Sequence, residues 1–281
     1  EISANDMCVF YRKVDMQNNY KFLVRYDGTR FLGWEHQPGK EWTIQGKLET
    51  VLTRMLEEEA EKNGKNLSSV KRGVNDTLVT VIAAGRTDAG VHADAMTANV
   101  ILDSHRTAQQ IQSYMNHYLP DDISIDACSI ASPHFHSRYN AKGKTYQYTC
   151  WYGDTKPVFD RKYVTVLDSM PDLEAMKIAA KGLTGMNDYK SFCGNSHFKK
   201  PSVRVVDKIQ VEWDAPYLRL TYHGNGFLQN MVRILTGTIL EVGFGKREPE
   251  SMAEIIAAKN RQAAGITMPP QGLRLVSVDY D

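Results

Sequence analysis

Hydrophobic and polar positions along the chain predict short strands interrupted by amphipathic helices. The run YKFLVRY at residues 20–26 has strand character and stops at Asp27-Gly28, where glycine accepts a positive φ. Thr43 then offers an N-cap to a helix whose apolar residues Ile44, Leu48, Val51, Leu52 and Met55 share one face. A lysine- and glycine-containing stretch at 63–75 reads as a loop, followed by apolar strands at 78–84 and 95–102. Ile111, Tyr114, Met115 and Tyr118 mark a second helix, and Ile123, Ile125 and Ala127 alternate as a strand.

A comparable series starts after residue 142. It comprises a strand at 144–152, a helix at 173–183, strands at 203–213 and 217–222, an apolar helix at 227–242, a helix near 251–262 and a strand at 273–280. Helices arrive between groups of strands with short connections, so the expected class is α+β with mostly antiparallel pairing, not a doubly wound parallel sheet. The chain divides into an N-terminal half, 19–138, and a C-terminal half, 139–281. Residues 1–18 show no hydrophobic period, begin without Met, and are expected to be an extension outside the fold.

The length of 281 residues and a hydrophobic share of 42% are ordinary for a globular protein and exclude general disorder. No apolar run approaches the roughly 18 residues of a membrane span, and no secretory pattern opens the chain, so a soluble cytoplasmic protein is expected. Lys and Arg number 34 against 33 Asp and Glu, which excludes a general basic coat and makes any polyanion site local. Charge is segregated: Glu57, Glu58, Glu59 and Glu61 form one run, Arg138, Lys142 and Lys144 another. Cys8, Cys128, Cys150 and Cys193 read as reduced thiols, and neither they nor the histidines have metal-ligand spacing, so no metal is expected.

Three segments carry chemistry. Gly85-Arg86-Thr87-Asp88-Ala89-Gly90-Val91-His92 puts a carboxylate and a guanidinium on a turn after an apolar strand, where reactive groups are often displayed. Taken alone, such a sequence is more often an Asx-turn in which the carboxylate bonds its own backbone. In Lys144-Thr145-Tyr146-Gln147-Tyr148, period two places Lys144, Tyr146 and Tyr148 on one face, which suits base stacking and phosphate contact but equally ordinary cross-strand tyrosine packing. In the helix holding Leu228, Met231, Val232, Leu235 and Ile239, Arg233 is surrounded by apolar positions and needs a carboxylate, for which Asp88 is the candidate, unless it snorkels to solvent. Gly224 and Gly226 begin a G-x-G-x-x-G pattern that fails at Gln229, which disfavours a nucleotide cofactor.

GRTDAGVHA at 85–93, KTYQY at 144–148, GFLQNMVR at 226–233 and PPQGLRLVSVDY at 269–280, in that order, resemble the tRNA pseudouridine synthase A family. The resemblance runs from about Tyr20 to Tyr280. It implies the pseudouridine-synthase fold, two α+β halves meeting across a central RNA-binding cleft, assembled as a homodimer. The implied substrate is the tRNA anticodon stem-loop, at uridines thirty-eight to forty, with no cofactor. Asp88 takes the place of the family's catalytic aspartate, Tyr146 of its active-site tyrosine and Arg233 of its helix arginine. Arg86 matches the loop arginine that holds RNA and the flipped nucleotide, and Leu273 matches the apolar residue lining the uracil pocket. Lys142, Lys144 and Tyr148 complete the expected RNA contacts. Lys144 stands where many members have Arg, keeping charge but losing a bidentate grip, and Met96 stands where Gln is frequent.

The implied reaction breaks the bond between ribose and uracil nitrogen, turns the base and rejoins ribose to carbon five, so no atom is gained or lost. Asp88, ionised beside Arg233, either attacks the anomeric carbon or removes a neighbouring ribose proton. The competing reading is a non-catalytic tRNA-binding or RNA-folding protein using the same cleft. A metal-free hydrolase with Asp88 and His92 is a third, unsupported by any oxyanion-hole motif.

Overall fold

The structure is a computed structural model and describes residues 17–195 and 199–281. The expected extension lies outside the described residues, except for Gln17 and Asn18, which already pair with Asp103 and Leu102 in the first strand. In chain order the elements are β1 (Gln17–Tyr26), α1 (Ile44–Lys62), β2 (Ile82–Ala83), β3 (His92–Asp103), α2 (Ala108–Tyr118) and β4 (Ile123–Ala131). They continue as β5 (Gly143–Trp151), β6 (Thr165–Val166), α3 (Leu173–Gly182), β7 (Gly185–Asp188), β8 (Val203–Asp214), β9 (Tyr217–Gly224), α4 (Met231–Gly243), α5 (Met252–Ala258) and β10 (Leu273–Asp279).

Among the described residues these strands form one sheet in the order β4-β1-β3-β10-β5-β9-β8-β7, with β2 on β3 and β6 on β5. Pairing is antiparallel except between β10 and β3 and between β5 and β6. The last strand therefore joins the two series: Arg274 and Leu275 pair with His92 and Ala93, while Leu273 and Leu275 pair with Tyr148 and Tyr146. Antiparallel partners share a face, so the residues opposite Tyr146 on both neighbouring strands, Leu275 and Tyr222, lie on its side of the sheet.

The crossing between the series is pinned by polar bonds. Asn99 Oδ1 accepts from Ser137 N at 2.9 Å and Ser137 Oγ at 2.8 Å, and Asn99 Nδ2 donates to Asn19 Oδ1 at 3.0 Å. Asn19 Nδ2 in turn donates to the Ser132 and Phe135 carbonyls at 2.9 and 2.8 Å. Buried amides that satisfy the loop's backbone in this way hold residues 132–137 against β1 and β3.

Helix positions follow the apolar pattern. Thr43 caps α1 through Gly46 N, and Thr107 with Gln110 forms a capping box on α2. Helix α2 packs on β4 and α1, whereas α3 packs on α4 and β8. Gly237 matters in α4 because a Cβ there would lie 2.1 Å from the Ile266 carbonyl oxygen. That close approach lays residues 264–268 along the helix.

Several elements differ from expectation. The predicted strand at 78–84 shrinks to Ile82 and Ala83, because its earlier donors bond side chains of α1: Leu78 N to Thr53 Oγ1 and Val81 N to Glu49 Oε1, both at 2.9 Å. The apolar helix begins at Met231, not at residue 227, since Asn230 has φ 58. The helix near 251–262 ends at Ala258, where Lys259 has φ 46. Strands β6 and β7, with two and four residues, have too little period to stand out in sequence. Among the described residues no helix is long and apolar enough to cross a membrane.

Candidate active site

The loop from Gly85 to Val91 is held from several sides, so its carboxylate projects from a fixed base. Ala84 N donates to Thr97 O at 2.8 Å, and Trp34 N donates to Thr87 O at 3.0 Å. The Tyr26 hydroxyl and Thr87 Oγ1 are 2.8 Å apart. Gly33, at φ +99, would bring a Cβ within 2.7 Å of Thr87 O, and Gly90, at φ +79, turns the chain beneath Pro270. Both glycines meet a positive φ and a close contact at once. Behind the loop, His92 Nδ1 accepts from Gly28 N at 3.0 Å, which ties the start of β3 to the end of β1.

Asp88 is not simply an Asx-turn. Among the described residues its carboxylate's hydrogen-bond partner is Arg233, whose Nη1 lies 3.4 Å from Oδ2. The aspartate side chain retains 30% exposure and the arginine 14%. Arg233 is held more firmly elsewhere, with Nε donating to Met268 O at 2.6 Å and Nη1 to Asn230 Oδ1 at 3.0 Å. Met268 is brought there by the segment packed over Gly237, with Met268 N donating to Arg233 O at 3.3 Å. The guanidinium is thus an anchored cation presented to a carboxylate, and it does not snorkel away.

Burial raises the Asp88 pKa above the usual aspartate value, and the charge and hydrogen bond of Arg233 oppose the rise without cancelling it. Arg233 does lower the value, but desolvation disfavours the charged form more than one guanidinium at 3.4 Å favours it.

Tyr146 is buried, with its ring edge-on to Phe227 at 5.2 Å between centroids. Its phenol is pushed well above the ordinary tyrosine value, first by burial and then by the Asp88 charge. Asp88 stands three residues along the loop whose Gly85 the Tyr146 hydroxyl borders, so its charge bears on the phenol. Lys144 Nζ and Tyr146 OH both border Gly85, at 3.5 and 4.0 Å from where a Cβ would sit. The sequence elements at 85–90, 144–148 and 227–233 therefore converge on one place.

The other expected contacts separate. Arg86 is 62% exposed and pairs with Glu35 Oε1 at 2.6 Å, at the edge of the same loop. Lys142 is exposed and pairs with Asp281 at 3.0 Å. Leu273 is buried opposite Tyr148 in the β10–β5 ladder. Tyr148 is fully buried, with its hydroxyl 2.6 Å from Thr165 Oγ1 and donating to Pro269 O at 2.8 Å. Its ring is packed under Gly272 and presents no face for a base, a correction to the stacking expected of it. Among the described residues no group of His, Cys, Asp and Glu is placed to hold a metal.

Sequence reading passed over Asn230 and Met268, which orient Arg233. A left-handed Asn at a helix start was a readable signal, since Asn tolerates that conformation better than most residues. Nothing in the sequence marks a carbonyl as a guanidinium acceptor.

The sequence pattern of the tRNA pseudouridine synthase family matches residues 22–140 and 179–281. A relative called tRNA pseudouridine synthase A from Bacillus sp. (strain KSM-64) is 37% identical over 263 residues, covering 94% of this chain and 100% of the relative. Its namesake from Geobacillus sp. (strain WCH70) is 40% identical over 266 residues, covering 95% and 100%. A third, from Geobacillus kaustophilus (strain HTA426), is 38% identical over 266 residues, covering 95% and 96%. With matches of this extent spanning both series of elements and the three converging segments, the chain belongs to the tRNA pseudouridine synthase family and has its α+β fold.

Proposed function

We propose that this protein isomerises uridine to pseudouridine in tRNA, with Asp88 as the essential carboxylate, at uridines thirty-eight to forty of the anticodon stem-loop. The observation that carries this reading is the anchored Arg233 beside a half-buried Asp88, with Tyr146 within reach of its charge. A protein that only bound RNA would gain nothing from a desolvated carboxylate facing a phosphate backbone. That disfavours the non-catalytic alternative.

The target nucleotide leaves its stack at a cost of a few kcal/mol, offset by contacts in the cleft. Tyr146 supplies an aromatic surface and, because its raised pKa keeps the phenol protonated, a hydrogen-bond donor. Arg86, Lys142 and Lys144 supply cations for the backbone, and Leu273 an apolar wall toward the base. Asp88 Oδ2, steadied by Arg233 Nη1, is the group that attacks the anomeric carbon or withdraws the adjacent ribose proton. By the first route the bond from C1′ to nitrogen one breaks as C1′ joins Asp88, and the freed uracil turns and displaces the carboxylate through carbon five. By the second the ribose proton goes to Asp88 and returns as carbon five adds to the glycal. In both, carbon five gives up its proton to water and nitrogen one takes one up. Such a substrate locates the protein in the cytoplasm. The two halves, 19–138 and 139–281, meet along β10 and β3, and the working unit is a homodimer.

The test is to incubate the protein with unmodified tRNA transcripts and map pseudouridine at single-nucleotide resolution. Conversion confined to positions thirty-eight to forty supports the reading. Tight binding without any pseudouridine would establish the binding-protein alternative instead.

A further inference from the structure

Lys144 does not stand alone beside the cleft. Half-buried on β5, it has no carboxylate partner among the described residues, and two more cations act on it: Arg138, from the turn that crosses between the two series, and Arg204, from β8. Arg204 is also half-buried, with no carboxylate partner among the described residues; Nη1 donates to the Pro201 and Val203 carbonyls, at 2.9 and 2.7 Å. Its Nε lies 3.7 Å from where a Cβ on Gly226 would sit. Gly224, two residues earlier, is the β9 partner of Lys144, so Arg204 and Lys144 flank the same glycine turn. Arg138 is exposed and likewise unpaired among the described residues. The chain carries nearly balanced charge and pairs many of its surface arginines. Lys144 and Arg204 at one glycine turn, with Arg138 on the crossing turn that leads into β5 and no carboxylate on any of the three among the described residues, are therefore a feature to explain.

Like charges held together in a partly dry place repel, and the pattern persists where an anion relieves it. We propose that Lys144, Arg138 and Arg204 form a cradle for one phosphodiester of the RNA, the one adjoining the nucleotide extruded toward Tyr146. The shared border of Lys144 Nζ and Tyr146 OH at Gly85 fixes the spacing, since the phosphate and base of one nucleotide are bracketed together there. Arg204 offers guanidinium nitrogens, suited to phosphate oxygens, and Lys144 a compact charge.

The repulsion has a readable sign. Burial first, then Arg138 and Arg204, lowers the Lys144 pKa to about 8. The groups around it are those two arginines, the neutral Tyr146 hydroxyl on its own strand, and uncharged Gly85, Gly224 and Val278 on the loop, β9 and β10. A bound phosphate favours the ammonium, so binding takes up a proton above about pH 8 and weakens as pH rises.

The inference rests on RNA being the substrate, and its test separates the two. Binding of tRNA is titrated against salt for the intact chain and for Arg204→Gln and Arg138→Gln, with pseudouridine formation followed at saturating tRNA. Each variant is expected to weaken binding about tenfold and flatten the plot of log affinity against log salt by roughly one unit, with turnover at saturation within about threefold. Arg204→Lys is expected to keep the slope, which separates lost charge from lost folding. Lys144→Arg is expected to abolish the weakening between about pH 7 and 9. Unchanged slopes in both glutamine variants, with an active wild type, overturn the cradle; an inactive wild type overturns the proposed function instead.

Discussion

Arg233 touches Asp88 at 3.4 Å but grips Met268 O at 2.6 Å, so the guanidinium is anchored by its own half of the chain and lent to the carboxylate of the other. A bond at the long edge of the hydrogen-bond range orients Asp88 without quenching it. Replacement of Arg233 by Gln is expected to lower turnover on the order of 100-fold, a magnitude typical of losing one preorganised electrostatic group. Burial would then act on Asp88 unopposed, so the acid limb of the pH–rate profile should move to higher pH. A loss of rate with an unmoved profile would assign Arg233 to folding alone.

Asp88 should cost the fold stability at neutral pH. Its folded pKa is raised, so the native state holds the proton more tightly than the unfolded chain. The stabilisation from the protonated form is present below the unfolded aspartate value and lost as pH rises through the folded one. Asp88→Asn is therefore expected to melt about 1–4 °C higher than wild type at pH 7, with the difference closing near pH 4. Thermal scans at both pH values check the sign, and a less stable Asn variant at pH 7 would contradict it.

Tyr146 divides into a ring and a hydroxyl. Tyr146→Ala removes the stacking surface and should weaken tRNA binding by about 1–3 kcal/mol, while Tyr146→Phe should bind nearly as well as wild type. Equal loss in both variants would place the ring's contribution in the hydroxyl.

Glu49, buried at 0% exposure, accepts from His36 Nδ1 at 2.7 Å, Gln45 Nε2 at 2.8 Å and Val81 N at 2.9 Å. It ties α1 to the segment that leads into the Asp88 loop. Glu49→Ala strands all three groups and should cost about 3 kcal/mol, seen as a lower urea midpoint at unchanged slope. An unchanged midpoint would mean that water replaces the carboxylate.

These residues also show what sequence made legible. The period of α1, α2 and α4, the strand face of Lys144 and Tyr146, and the need of Arg233 for a carboxylate were readable because they follow from repeat length and the cost of burying charge. Residues 78–81 read as strand but do not pair as one, because apolar character signals burial, whereas strand pairing depends on where the backbone donors go, and here they go to Thr53 and Glu49. The burial of Tyr148 is not legible, because period two gives a face but not its depth: Thr165 and Pro269, distant in sequence, close over it. The net direction of the Asp88 shift depended on desolvation, which only packing decides.

If Asp88 is the essential carboxylate as proposed, it is indispensable to pseudouridine formation and not to the fold or to RNA binding. The direct test is single-turnover pseudouridine formation by Asp88→Asn on purified tRNA, with tRNA binding measured on the same preparation. Retained binding with no product above background is the predicted result. Product formed at a rate near that of wild type would contradict the account.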